Sequence, residues 1–253
     1  MAAYYNEIDS FAAAWLRELI KAGLIAEGDV DERSIADVRP DDLRGFTQCH
    51  FFAGIGGWSY ALRLAGWLDD RPVWTGSCPC QPFSAANVWD GGGAGRADRR
   101  HLWPSWRGLI EQCRPSTVFG EQITAAARHG WLDEVIGDLE RLSYACGAAV
   151  LPACSVGAGH LRRRLWFVAD ASGARWEGRQ PIECVPVSAP APQSVDGDTL
   201  AFARQALAGH YGGLLPCDGL SVQLERDALK GYGNAIVPQV AQAFIEAYLE
   251  ARG

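Results

Sequence analysis

Cys49-His50-Phe51-Phe52-Ala53-Gly54-Ile55-Gly56-Gly57 joins an apolar run to a glycine cluster. The first five residues read as a buried strand, and the glycines end it. From Trp58 to Trp67, apolar residues recur at Trp58, Ala61, Leu62, Leu64 and Ala65, the spacing of a helix lying on a sheet. Strand, glycine turn and helix together present backbone N–H groups to a nucleotide-type ligand. Taken alone, Gly-x-Gly-Gly is equally what a plain turn needs. The sequence has neither a full GxGxxG nor a GKS/GKT phosphate loop.

Downstream, Pro72-Val73-Trp74-Thr75 reads as a short buried strand that runs into Gly76-Ser77-Cys78-Pro79-Cys80-Gln81-Pro82-Phe83-Ser84. The prolines can continue neither strand nor helix, so Cys80 falls where a strand ends and a loop begins. Open α/β sheets place their chemistry there. Cys80 is a candidate nucleophile, and a structural cysteine in a tight turn is the other reading. Asn87 to Gly95, with four glycines, predicts a loop. His101 to Cys113 has a helical pattern, Ser116 to Gly120 is a strand with Glu121 at its end, and Trp131, Val135, Leu139 and Leu142 mark another helix. Tyr144 to Leu151 and Leu165 to Ala169 read as strands. The alternation predicts an α/β, doubly wound sheet.

From Ala171 to Leu229, prolines and glycines break any long element, which predicts a small irregular segment. A last helix begins near Pro238, with Val240, Ala243, Phe244, Ala247 and Tyr248 on one face. Upstream of the glycine turn, residues 2–5 suit a short strand and Phe11 to Ala22 a helix capped by Asp9 or Ser10. Gly23 is expected to weaken that helix and Gly28 to end it. The charged stretch to Asp42 reads as solvated surface.

Hydrophobic residues make up 48% of the 253 and charged residues 21%, enough for a sizeable core. The eight cysteines are scattered, without paired CxxC ladders, so reduced thiols are expected rather than disulfides or a metal site. The net charge of −7 means that nucleic-acid binding would need local basic patches. No apolar run reaches membrane-spanning length and no basic, apolar leader opens the chain. The expectation is a cytoplasmic protein acting as a monomer, with no metal and no membrane.

Taken together, the motifs resemble those of the cytosine-5 DNA methyltransferase family. Phe52-Ala53-Gly54-Ile55-Gly56-Gly57 is similar to its cofactor motif, Pro79-Cys80-Gln81 with Pro82-Phe83-Ser84 to its nucleophile motif, and Phe119-Gly120-Glu121-Gln122-Ile123 to its Glu-Asn-Val motif. His160-Leu161-Arg162-Arg163-Arg164 resembles Gln-x-Arg-x-Arg with histidine in place of glutamine, and Gly233-Asn234-Ala235-Ile236-Val237-Pro238 its C-terminal motif. An N-methylating enzyme's Asp/Asn-Pro-Pro-Tyr/Phe tetrapeptide does not occur. Between Gly57 and Pro79 lie only 21 residues, where the family holds an acidic ribose-binding motif and a Gly-Asp-Ile-like adenine motif. Both have counterparts upstream, in Asn6-Glu7-Ile8-Asp9 and Gly28-Asp29-Val30. The order is therefore read as permuted, the chain starting at the strand that normally follows the glycine turn. The competing reading is an unrelated helical cap over residues 1–48. His50 stands where the family commonly has Asp.

The resemblance implies a Rossmann-like S-adenosylmethionine-dependent methyltransferase sheet over 1–170 and 230–253, with 171–229 as a small target-recognition segment. It implies that Cys80 adds to C6 of cytosine, Glu121 handles the proton at N3, Arg164 contacts the base O2, and Arg162 braces Glu121 or a phosphate. Arg162 and Arg164 are expected on one side of a strand, with Arg163 pointing away. S-adenosylmethionine would be held by Phe52, Ala53, Gly54, Ile55, Gly56, Gly57, Glu7, Ile8, Asp29, Val30, Pro79, Leu102, Asn234 and Ala235. Gln81, Ser84, Arg96, Arg99 and Arg100 would meet double-stranded DNA, from which the base must be flipped. Arg175, Trp176, Arg179, Arg204 and His210 are further candidate DNA contacts. An RNA cytosine-5 methyltransferase is the nearest alternative. A cysteine-dependent hydrolase, with His101 or His160 as base, is the alternative from another class.

Overall fold

The computed structural model describes residues 2–79, 102–128, 130–172 and 234–252. They belong to a unit formed by Met1–Gly178 and Asn234–Gly253; a second unit, Arg179–Gly233, lies outside the described residues.

Seven strands form one sheet: β1 (Ala2–Asn6), β2 (Gly28–Asp31), β3 (Phe46–Phe51), β4 (Val73–Gly76), β5 (Thr117–Ile123), β6 (Ala145–Leu151) and β7 (Arg164–Asp170). Their order is β2-β1-β3-β4-β5-β7-β6. β1 to β5 run parallel, and β7 is antiparallel to both β5 and β6. The described helices are α1 (Ser10–Lys21), α2 (Gly57–Leu64), α3 (Trp103–Cys113), α4 (Thr124–Arg128), α5 (Trp131–Arg141) and α6 (Pro238–Arg252).

Register assigns the faces. Tyr5, His50, Thr75 and Phe119 lie level across β1, β3, β4 and β5. On their side pack Leu16 of α1, Trp58 and Leu62 of α2, and Val240, Phe244 and Ile245 of α6. Tyr4, Cys49, Trp74 and Val118 form the alternate row, covered by Trp103, Trp106 and Ile110 of α3 and Val135 and Leu139 of α5. Helices on both faces make this the doubly wound α/β sheet that the alternation predicts.

The N-terminal region supplies two of the seven strands, so it is an integral part of the sheet and not a cap. β1 pairs with β2 on one side and β3 on the other, with Asn6 opposite Phe51. The Asp9 carboxylate caps α1 by accepting from Phe11 N and Ala12 N. Gly23, expected only to weaken the helix, terminates it: at φ 69° it lets Leu24 N reach back to Leu19 O at 3.0 Å. Gly28 opens β2 instead. The polar stretch expected to be solvated also buries Ile35, Val38 and Leu43 against the sheet.

The connections carry a mark of the unusual chain order. β1 reaches β2 through α1, moving outward on the α1/α2 face. β2 to β3 and β4 to β5 move the other way over the opposite face. These three crossovers share one hand. β3 reaches β4 through α2, moving in the second direction but over the first face. Its hand is opposite to the other three. Parallel crossovers are right-handed in about 98% of cases, so one crossover opposed to three others is the departure in this sheet. In this sheet the chain passes straight from α2 to β4, while β1 and β2 of the N-terminal region lie on the far side of β3.

Candidate active site at the carboxyl ends of the strands

Glu121 lies in β5 opposite Trp166 of β7 and is only 7% exposed. Arg164 opens β7, and its Nε stands 2.9 Å from Glu121 Oε1. Ser77, just beyond β4, hydrogen-bonds the same carboxyl. Trp58 of α2 donates its Nε1–H to Ser77 Oγ at 3.1 Å. An indole N–H can only donate, so Ser77 accepts there and its own proton is left for Glu121. Burial raises the Glu121 pKa above its ordinary value, and Arg164, Arg162 and Ser77 pull it back only partly. This carboxyl keeps its proton to higher pH than a free glutamate.

Arg162 is placed differently from the expectation. β7 begins at Arg164, so Arg162 precedes the strand and no strand alternation orients it. Its Nη2 donates to Ala235 O at 2.7 Å, joining the segment before β7 to the segment before α6. Burial, then the neighbouring Arg164, lowers its pKa. Arg163 is exposed, as expected.

Ser77-Cys78-Pro79 leave β4 without regular structure, and Gln122 Nε2 pins them by donating to Cys78 O at 2.8 Å. Cys78 is buried and Pro79 half-buried. Cys80, Gln81, Ser84, Arg96, Arg99 and Arg100 lie outside the described residues, as do Arg175, Trp176, Arg179, Arg204 and His210.

At the other end of the crevice, Glu7 follows β1 and reaches across to the turn after β3. Its Oε2 accepts from Gly54 N at 2.7 Å and its Oε1 from Asp9 N at 2.8 Å. Carboxylate oxygens have further lone pairs, so both can still accept from a ligand. Ile8 beside it is 69% exposed, and Phe52, half-buried, meets Trp106 edge-on with ring centres 6.2 Å apart. Phe52 and Gly54 have positive φ, 51° and 55°, so the chain doubles back tightly at the strand end. Ala53 is buried and Ile55 half-buried. Gly57, the first residue of α2, admits Ile236: a Cβ there would stand 2.7 Å from Ile236 Cγ1. Asn234 is exposed and Ala235 half-buried; Leu102 is half-buried at the start of α3.

Asp29 and Val30 do not stand at the same level as Glu7. Asp29 pairs opposite Tyr4, three residues before Glu7, which sets it back roughly 10 Å along the strands. It is exposed on the edge strand. Nearer to Glu7 is Asp31, which pairs opposite Asn6 and whose carbonyl accepts from Glu7 N at 3.0 Å. Its carboxylate is already engaged by Arg33 and by the Tyr4 hydroxyl. His50 is buried within the sheet, its Nδ1 2.8 Å from Thr75 Oγ1 and its ring stacked on Tyr5. Burial drives its pKa down to about 3, so it is neutral near pH 7 and cannot replace an aspartate's charge. Among the described residues no group of three or more His, Cys, Asp or Glu can hold a metal ion, and no helix is long and apolar enough to cross a membrane.

Sequence reading passed over Ser77, Trp58 and Gln122. Ser77 was visible three positions before Cys80, but a serine there carries no signal until Glu121 is folded against it.

The fold is that of a Rossmann-like methyltransferase. The family model described as C-5 cytosine-specific DNA methylase matches residues 68–196, half of the chain, and the chain belongs to that family. The match takes in the nucleophile motif, Glu121 and the arginines. It is 27% identical over 118 residues to Type II methyltransferase M.AplI of Arthrospira platensis, covering 46% of this chain and 33% of that protein. It is 30% identical over 111 residues to Type II methyltransferase M.AgeI of Thalassovita gelatinovora, covering 42% and 24%. These matches span a third or less of the relatives' length. Among solved structures, it is similar to a Spodoptera frugiperda DNMT2 mutant, with a TM-score of 0.44 and 14% identity over 72% of this chain and 54% of that one.

Proposed function

We propose that the protein transfers a methyl group from S-adenosylmethionine to C5 of a cytosine flipped out of DNA, through a covalent bond from Cys80 to C6. The observation that carries this reading is the buried Glu121 carboxyl, paired with Arg164 beside the segment that leads into Cys80. Cytosine C5 is a weak nucleophile. Addition of the Cys80 thiolate to C6 turns the ring into an enamine, and negative charge builds toward N3 and O2. Glu121, holding its proton through burial, delivers it to N3. Arg164, fixed by Glu121, faces O2. C5 then takes the methyl group as the donor sulfonium leaves as a neutral thioether; solvent removes the C5 proton, the thiolate leaves C6, and N3 returns its proton to the Glu121 carboxylate.

The residues at the β1 and β3 ends fit S-adenosylmethionine. Glu7, with lone pairs to spare, suits a ribose diol, and exposed Ile8 and half-buried Phe52 offer apolar faces to adenine. The turn at Gly54 to Gly57 and the Asn234-Ala235 segment remain for the amino-acid end. When bound, the cofactor supplies an electrophilic methyl group.

Substituting 5-fluorocytosine at the target should trap a protein–DNA adduct, because fluorine cannot leave as a proton does. Cys80→Ala should abolish the adduct and Cys78→Ala should not. An adduct that survives Cys80→Ala refutes the nucleophile. Adducts formed only on RNA would move the substrate to RNA.

A further inference from the structure

The segment ahead of α6 is held at two points that come from different parts of the fold. Arg162 Nη2 donates to Ala235 O at 2.7 Å across 73 residues of sequence. One residue on, the Ile236 side chain fills the space that a side chain at Gly57 would occupy, and is itself only 8% exposed. The first contact ties the segment to the approach of β7. The second ties it to the first turn of α2, directly after the glycine turn. Asn234, exposed, stands at the start of this doubly held stretch.

We propose that Arg162 is a positioning residue for the cofactor's amino-acid end, fixing Asn234-Ala235 against the glycine turn, and does not serve as a contact to the target base. This rests on the reading above that 234–235 meet S-adenosylmethionine. A charged guanidinium on a backbone carbonyl is one of the stronger hydrogen bonds. Ala235 also stands too far along the chain to be placed by local structure. Arg162 and Arg164 therefore divide their work. Arg164 orders the carboxyl that meets the base, and Arg162 orders the backbone that meets the cofactor.

The test is calorimetric titration of S-adenosylmethionine, without DNA, into the wild-type protein and its variants. Hydrogen exchange at the 235–237 amides, read without cofactor, accompanies it. Arg162→Met keeps the aliphatic stem and removes the donors. It should weaken the cofactor about tenfold or more and speed exchange at those amides. Arg162→Lys, which restores a donor, should recover part of both. Ile236→Val keeps the fold and loosens only the second point, so a smaller loss in the same direction is expected. Arg164→Met should leave cofactor affinity within about twofold, well below the loss of a charged hydrogen bond. Unchanged affinity and exchange in Arg162→Met, with methyl transfer lost, would overturn the proposal and return Arg162 to the base. If the wild-type protein itself does not bind the cofactor, the functional reading fails. Faster exchange in Arg162→Met would then show the positioning contact separately.

Discussion

At the β1–β3 end of the crevice, Glu7 is half-exposed and both its oxygens accept from backbone N–H groups, Gly54 and Asp9. At the β5 end, Glu121 is buried and faces guanidinium groups from a different strand connection. The first arrangement leaves a carboxylate open to solvent with lone pairs to spare, suited to holding hydroxyls. The second buries a carboxyl and raises its pKa, suited to moving a proton. In the proposed reaction the two glutamates divide into binding and chemistry, and their difference in burial is the main physical reason. His50 shows the same control from another side: buried between Tyr5 and Thr75, it is neutral and contributes packing and one hydrogen bond.

The sharpest way to break this comparison is to remove the proton from the buried end. Glu121→Gln keeps shape but cannot protonate N3, and methyl transfer should fall about 10²–10⁴-fold. Cofactor affinity should be nearly unchanged. A variant that keeps within a few-fold of wild-type rate would remove Glu121 from the chemistry.

Next in size is the pair itself. Arg164→Met leaves Glu121 buried without its nearest cation. One-sided loss of a fully ionised buried pair costs about 3–5 kcal/mol; Arg164 is 21% exposed and burial favours the protonated form of Glu121, so the lower end is the most to expect. Denaturant unfolding at pH 7 measures this, and a loss below about 1 kcal/mol would mean that solvent already screens the pair.

The pH dependence gives a third test. Burial raises the folded-state pKa of Glu121 above its ordinary 4.5. The folded protein therefore binds this proton more tightly than the unfolded chain does. The resulting stability is complete below about 4.5, the unfolded value, and is lost as pH rises through the raised folded value. Glu121→Gln has no proton to lose, so the melting temperature of the wild type should fall relative to the variant as pH rises through that window. Parallel curves would show that Glu121 is not perturbed.

Smaller effects belong to the open end. Glu7→Ala should weaken S-adenosylmethionine about tenfold, roughly 1.4 kcal/mol, with DNA binding little changed. Its loss also frees Gly54 N, so Glu7→Gln, which still accepts there, should retain more affinity. Asp29→Ala should have the least effect, about threefold or less, the size of an exposed polar contact. A larger loss at Asp29 than at Glu7 would mean that the adenine lies deeper along β2 than the register allows.

Much of this was legible in the chain. Asp9 as a helix cap, the glycine turn after Phe51 and the Pro-Cys-Gln stretch after a short strand are set by neighbours a few residues apart. Propensity and periodicity report such neighbours directly. The short strand over residues 2–5 was legible as well, and it lies beside β3 in the sheet. The strand over Leu165 to Ala169 was legible too, but the expectation that its alternation reaches back to Arg162 failed, because Arg162-Arg163-Arg164 has no apolar alternation to mark where pairing starts.

What the sequence determined by itself, then, was most of the elements in their order, β2 excepted, and the residue types offered at the strand ends. The tertiary structure decided which of those residues meet. Glu7 reaches Gly54 across 47 residues, Arg162 reaches Ala235 across 73, and Trp58 aligns Ser77 toward Glu121 from another helix. The opposite hand of the β3–α2–β4 crossover is likewise a property of the assembled sheet. The physical reason is that these partners are selected by register and burial. Both arise only when distant segments pack, and both set the charge state of a carboxyl whose sequence neighbours carry no trace of it.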